Sequence, residues 1–523
     1  MKDSFICRHD YPVAETAEGK LRGYEYDGVI YFKGIRYSTA KRFHQPEPVK
    51  PWEGVKPANT CGPIAPVYQQ RIPHSDFHVM HRYWPMDEEC QYVNVWTKDL
   101  TPAEKKPVLV WLHGGGFASG SAMEGTAYDC DELAKYGDVV TVSVNHRLNI
   151  LGFLDLSSFG EEYANSVNAG IADLVEALKW VNRNIAAFGG DPDNVTIFGQ
   201  SGGGGKVISM LQTPAAAGLF HKAIIISGAM DVSGRVSADH RQIVLQMLKE
   251  LHFKEDQVKE LETVPYDILW QAYQRACKKL GSQINWGPVK NEYYLGYPTV
   301  YGFSEYAKKV PVILGTALGE FDSYVPGIPS WIPEEEKKAL LDKRFSGHGK
   351  EVIAAFEKDY PGKDIAVLSQ IDTLFRNDSR EFALKRCDEC PDVSTWYYIF
   401  GLVYTINDCT PTWHSGDIPF FTHTTDRIPN THFGEYRERL EAEVSGAVIS
   451  FAKSGNPNHE GLAEWPAYDK TEQNTMIFDV ASAVVPQAEN ALRDLLDKYA
   501  PESKDPRPPR KEEKRIPDRI WYY

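Results

Sequence analysis

The sequence predicts an α/β fold built on a mostly parallel central sheet covered by helices, and three features carry that expectation. Short apolar, β-prone runs recur without polar alternation, as strands buried on both faces require. Amphipathic stretches with helical spacing fall between them. Their alternation along the chain is the pattern of a sheet flanked by helices, and no internal repeat or low-complexity block breaks it over the first 500 residues.

Taken in order, the first buried run is Val108-Leu109-Val110-Trp111-Leu112, which ends in His113-Gly114-Gly115-Gly116-Phe117. Three glycines after a buried strand let backbone N–H groups approach a substrate oxygen without side-chain interference, as an oxyanion hole requires. The next strand is Val139 to Val144. A helix follows over Ile171 to Ile185, where Ile171, Leu174, Leu178, Val181 and Ile185 recur at three- and four-residue steps and form one apolar stripe. The strand Val195 to Phe198 then runs into Gly199-Gln200-Ser201-Gly202-Gly203, a GxSxG motif leading into small residues that can open a helix. A sharp strand-to-helix turn needs glycines on both sides of the serine and leaves its hydroxyl accessible. Gly202 to Lys206 does not make a phosphate loop: Gln200 stands where a Walker A sequence has glycine, and Val207 where it has Ser or Thr.

Further strands are expected at Ala223 to Ile226, Val310 to Leu314 and Thr395 to Phe400. Residues 325–390 are mostly helical and charged, an inserted helical region beside the sheet. A helix covers Ala488 to Ala500, and residues 501–523 form a Pro- and charge-rich extension. Residues 1–500 therefore read as a single domain.

Composition narrows the function. Hydrophobic residues make up 42% and charged residues 25% of the chain, an ordinary globular profile. With 57 basic and 72 acidic residues the net charge is −15, the wrong sign for a protein that binds nucleic acid. The opening MKDSFICRHDYPV lacks the apolar core of a secretory signal, and no apolar run reaches the length of a membrane span, so no membrane span and a cytoplasmic location are expected. Among eight cysteines only Cys387 and Cys390 form a CxxC pair, which cannot complete a four-ligand zinc site alone. No metal and no organic cofactor are implied.

HGGG followed by GxSxG, each at a strand end, points to acyl transfer. A serine hydroxyl is a poor nucleophile without a base, and the base needs an orienting carboxylate, so a histidine and an acid are expected downstream.

These stretches resemble the type B carboxylesterase and cholinesterase family of α/β-hydrolases, nearest its bacterial carboxylesterases. Phe32-Lys33-Gly34-Ile35-Arg36-Tyr37 with Arg42-Phe43 is similar to the family's opening, and PEPVKPWEGV, EECQYVNVW, HGGGFASG, VNHRLNILGFL and FGGDPDNVTIFGQSGGG follow in the family's order. The resemblance implies Ser201 as nucleophile and Glu320, in Gly315-Thr316-Ala317-Leu318-Gly319-Glu320, as the acid. It implies His414, in His414-Ser415-Gly416-Asp417, as the base. His423 and His432 lie too near the landmark Phe451 to Asn458 to fill that place. The order Ser, Glu, His is the one α/β-hydrolases use. Backbone amides of Gly115, Gly116 and Gly202 are the implied oxyanion donors, with Ser227 and Gln200 as supporting residues and His113 as a structural one.

Three departures from the family stand out: Gln200 replaces a common glutamate, Gly202 replaces alanine, and Cys61 lies too early to be an obvious disulfide partner for Cys90. Loss of the glutamate weakens the case for a cationic choline substrate, and Trp84 is too close to Cys90 for the family's choline-stacking tryptophan. The implied activity is hydrolysis of small-molecule carboxylic esters, of short to medium acyl length, through an acyl-enzyme. The alternatives are a catalytically silent adhesion module on the same fold and an amidase using the same triad.

Overall fold

The computed structural model describes residues 4–67, 82, 84–230, 238–405, 409–431 and 434–500; the extension at 501–523 and His432 lie outside the described residues. One twelve-stranded sheet runs through them. Its strands in chain order are β1 Phe5–Ile6, β2 Tyr24–Tyr26, β3 Val29–Arg36, β4 Tyr92–Thr97, β5 Lys106–Leu112, β6 Val140–Val144, β7 Gly190–Gln200, β8 Lys222–Ile226, β9 Val312–Ala317, β10 Thr395–Phe400, β11 Thr475–Phe478 and β12 Ala483–Val485. In space they lie in the order β1-β2-β3-β4-β6-β5-β7-β8-β9-β10-β11-β12. From β6 to β11 every neighbouring pair is parallel. The strands at the two ends, β1 to β4 and β12, pair antiparallel.

The parallel strands are buried on both faces, which is why their sequences do not alternate. Along β5, Val108 and Val110 pack with Ile171, Leu174 and Leu178 of the helix Ala169–Asn184. Leu109 and Trp111 point the other way and pack with Leu440, Val444, Val448 and Phe451 of the helix Arg437–Ser454. Register aligns the strand ends where the expected site residues lie: Leu112 pairs with Gly199, Gln200 with Ile226, and Ile226 with Gly315. The turns after β5, β7, β8 and β9 therefore open on one edge, where open α/β sheets bind their ligands.

Between β9 and β10 stand the helices Glu334–Arg344, Gly349–Asp359 and Arg376–Glu389. The expected helix at 488–500 is Asn490–Tyr499. The antiparallel strands β1 to β4 were not anticipated, because β3 carries Lys33-Gly34 at a register shift and so lacks a clean apolar run. All eight cysteines are unbridged; Cys387 lies in the helix Arg376–Glu389 and Cys390 caps its end. No helix among the described residues is long and apolar enough to cross a membrane.

Candidate active site

At the end of β7 the chain turns sharply. Ser201 sits at φ 58° and ψ −128°, and the helix Gly202–Leu211 starts at the next residue. Positive φ in a non-glycine residue costs on the order of 1–3 kcal/mol and persists only where surrounding structure enforces it. Here the enforcement is visible. The Ser201 amide donates to the Ile226 carbonyl at 2.8 Å, and the turn is pressed so closely against β5 that a Cβ on Gly203 would lie 2.0 Å from the Leu112 carbonyl oxygen. A Cβ on Gly199 would lie 2.5 Å from that same oxygen. The GxSxG glycines are thus dictated by backbone proximity.

The glycine loop after β5 wraps over this turn. Gly115 and Gly116 take φ 85° and 63°, and a Cβ on Gly115 would meet the Ser119 carbonyl oxygen at 2.4 Å. Gly114 abuts the Ser201 turn, since its Cβ would come within 3.5 Å of Ser201 Cβ. Gly202 has the Gly116 backbone against it: a Cβ there would fall 2.2 Å from Gly116 O and 2.4 Å from Gly116 N. The structure thus gathers Gly115, Gly116 and Gly202 around Ser201. His113, at the base of the loop, is fully buried with Nδ1 2.8 Å from the Gly114 carbonyl oxygen. Burial and the nearby Lys206 hold its pKa well below the ordinary histidine value. It is a neutral residue of the loop's foundation.

Beyond β9, Glu320 also takes a positive φ, 47°, and its carboxylate turns back so that Oε1 accepts from the Ala317 amide at 2.7 Å. Its other oxygen, Oε2, forms a short hydrogen bond with His414 Nδ1. The backbones are tied as well: the His414 amide donates to the Glu320 carbonyl at 3.0 Å, and the Tyr324 hydroxyl donates to the His414 carbonyl at 2.7 Å. Two mutually packed aromatic rings lie against the imidazole, Phe321 at 4.1 Å and Phe375 at 5.0 Å between centroids. A carboxylate on Nδ1 assigns the ring proton there and leaves Nε2 as the basic nitrogen.

Gln200 reaches the same ring. The Ser415 hydroxyl donates to Gln200 Oε1 at 3.0 Å, which turns the amide so that its Nε2 lies 3.3 Å from His414 Nε2. Ser227 follows β8, and its amide donates to the Gly315 carbonyl at 2.8 Å. Its hydroxyl has no hydrogen-bond partner among the described residues, whereas Gln200 lies within hydrogen-bond distance of His414. His423 is occupied elsewhere, bonded to Ser445 at 2.9 Å and stacked on Tyr136.

Two further buried carboxyl groups sit near Glu320. Burial, with Glu320 adding to it, raises Asp417 well above the ordinary carboxylate range. Burial lifts Asp372 to about 6, with Arg376 opposing and Glu320 reinforcing the rise. Asp372 accepts from the amides of Leu374, Phe375 and Arg376, which fixes the turn that carries the Phe375 ring. The Arg376 guanidinium binds Thr316 Oγ1 at 2.5 Å and the Ala317 carbonyl at 2.6 Å, clamping the strand end before Glu320. Sequence reading missed Phe321, Phe375, Tyr324 and Arg376, since nothing local marks residues that meet the site only through chain packing. It weighed Lys206 only as a phosphate-loop lysine, though a lysine just before the apolar run Val207-Ile208-Ser209-Met210-Leu211 was a readable sign of burial.

Comparison with known proteins gives the family. Residues 10–494 match the family model described as the carboxylesterase family. The chain is 32% identical to the para-nitrobenzyl esterase of Bacillus subtilis over 93% of this chain and 98% of that protein. It is 28% identical to human carboxylesterase 3 over 90% and 88% of the two chains. A solved esterase from Clostridium hathewayi, described as able to hydrolyse aliphatic aromatic polyesters, superposes with a TM-score of 0.91 at 46% identity, covering 95% of this chain and all of that one. The chain belongs to the carboxylesterase family, with the α/β-hydrolase fold, and the protein is a carboxylic ester hydrolase.

Proposed function

We propose that the protein is a serine esterase working through an acyl-enzyme, with Ser201 as nucleophile, His414 as general base and acid, and Glu320 as the orienting carboxylate. The observation that carries this reading is the Glu320 to His414 hydrogen bond held beside the Gln200-Ser201 turn.

His414 Nε2 takes the proton as Ser201 Oγ attacks the ester carbonyl, and Glu320 stabilises the imidazolium that results. Amides of Gly115, Gly116 and Gly202 stabilise the tetrahedral oxyanion, and loss of one such donor costs about 3 kcal/mol. The imidazolium then protonates the departing alcohol, leaving Ser201 acylated. Water attacks that acyl group with His414 again as base, and the carboxylic acid leaves. Gln200, buried against His414 and Ser415, brings no charge to the site, and we take the substrates to be uncharged esters of short to medium acyl length, with aromatic–aliphatic diesters as the larger members.

The test is turnover of p-nitrophenyl esters from acetate to long chains by the parent protein and Ser201→Ala. We expect activity on the short and medium members, a loss of kcat on the order of 10^6-fold in the variant, and fluorophosphonate labelling of the parent alone. Folded parent protein that turns over no ester and resists the label would overturn the reading, as would a variant as active as its parent.

A further inference from the structure

We infer that Lys206 is a positioning residue for the glycine loop: its amine holds the His113 carbonyl at the loop's base and thereby sets where the Gly115 and Gly116 amides stand over Ser201. The inference rests on the serine-esterase reading given above.

Gly202 and Lys206 are four residues apart on the helix Gly202–Leu211 and so lie on one face of it. That face meets the glycine loop twice. At Gly202 the contact is so close that no side chain fits between the helix and Gly116. One turn on, Lys206 Nζ donates to the His113 carbonyl oxygen at 2.8 Å, and it lies 6.0 Å from the ring of Phe117 at the loop's far end. The helix that begins at the nucleophile therefore anchors both the start and the crest of the loop. A side chain at position 202 would push the crest of the loop outward.

A lysine with no exposed surface is rarely found unless something specific retains it. Burial pushes Lys206 well below the ordinary lysine pKa, against the pull of Glu124. Other titratable groups facing it are the His113 and His146 rings, which stack with centroids 5.3 Å apart. Burial and Lys206 itself keep both rings well below the ordinary histidine value. Among the described residues His113 Nε2 and both nitrogens of His146 have no hydrogen-bond partner, while His113 Nδ1 lies 3.5 Å from Lys206 Nζ. What the amine does hold is the carbonyl.

Oxyanion donors act only within about 2.7–3.1 Å of the developing charge, so a loop released at its base loses transition-state stabilisation while ground-state binding stays. Lys206→Met keeps the length of the side chain and removes the donor. We expect kcat on p-nitrophenyl butyrate to fall about 10- to 100-fold with KM within about threefold of the parent. A trifluoromethyl ketone adds Ser201 Oγ to its carbonyl, passes the serine proton to His414 and places the alkoxide where the oxyanion forms. Its inhibition constant should rise by the factor by which kcat/KM falls. Lys206→Gln, which retains a neutral N–H donor, should recover part of both losses, and it decides the question if Lys206→Met does not fold. Parent-like kcat and ketone affinity in a folded variant would overturn the inference, as would a loss of kcat with unchanged ketone affinity. Failure of the esterase reading looks different: Ser201→Ala would then match the parent.

Discussion

Gln200 decides what charge the imidazole of His414 meets from the β7 side. Its amide, oriented by Ser415, lies 3.3 Å from His414 Nε2 and carries no charge. Glu in its place would set a carboxylate against the ring. An opposite charge at that distance favours the protonated imidazole, and in general an adjacent charge moves a pKa by about 1–3 units. Protonated His414 cannot accept the serine proton, so the acid limb of kcat/KM should move to higher pH. For Gln200→Glu we expect a displacement of about one unit, with the alkaline plateau within about threefold of the parent. A pH–rate profile with p-nitrophenyl acetate measures it, and an unmoved acid limb would mean that Gln200 is electrostatically uncoupled from the base.

At the scale of elements, the site is a set of strand ends brought into register. Ser201, Ser227 and Glu320 follow β7, β8 and β9, and all three take positive φ, at 58°, 47° and 47°. Each is a point where a buried strand must reverse within one residue to keep its side chain at the sheet's edge. Helix seating makes this possible, and Gly203 is where it can be broken. Its Cβ would lie 2.0 Å from a backbone oxygen of β5, which no side-chain rotation relieves. Gly203→Ala should therefore lower stability by about 1–3 kcal/mol or more and displace Ser201, reducing both the urea midpoint and fluorophosphonate labelling. Parent-like values for both would show that the turn can shift freely. The same element logic explains what was legible in the sequence. Strands β5 to β10 could be read because burial on two faces removes polar alternation, and the GxSxG and HGGG turns because the close backbone approach between them leaves room only for glycine. His414 was legible through a local motif. The Phe321 and Phe375 rings around it, and the Arg376 clamp, were not, since their positions follow from the packing of the helix Arg376–Glu389 against β9, a contact no local pattern encodes. Strands β2 to β4 were missed for the opposite reason: β2 is short, β3 is interrupted at Lys33-Gly34, and β4 carries Asn94 within its apolar run.

For the whole molecule, a buried ionic cluster couples the C-terminal helix Asn490–Tyr499 to the strand end before Glu320. Glu489 receives Arg376 Nη1 at 2.6 Å, Arg493 Nε at 3.0 Å and the Tyr360 hydroxyl at 2.6 Å. Arg493 also donates to the Asp372 carbonyl, so residues 360, 372, 376, 489 and 493 form one unit behind the site. Burial alone would raise the Glu489 pKa, but Arg376 and Arg493 outweigh it and hold the carboxylate at about 2, against an ordinary 4.5. A carboxyl depressed on folding stabilises the native state above its unfolded pKa and loses that contribution as pH falls through its folded one. The displacement corresponds to about 3 kcal/mol, present in full above pH 4.5 and fading toward pH 2. Glu489→Gln removes the charge and leaves two buried guanidinium groups undercompensated, so at pH 7 it should cost about 3–5 kcal/mol in urea unfolding. The gap between parent and variant should be constant from pH 8 to pH 5 and then narrow as the parent protonates. Because the cluster ends on the Ala317 carbonyl, kcat should fall along with stability at neutral pH. A gap that stays constant down to pH 3 would mean that Glu489 is not the group whose charge ties the C-terminal helix to the site.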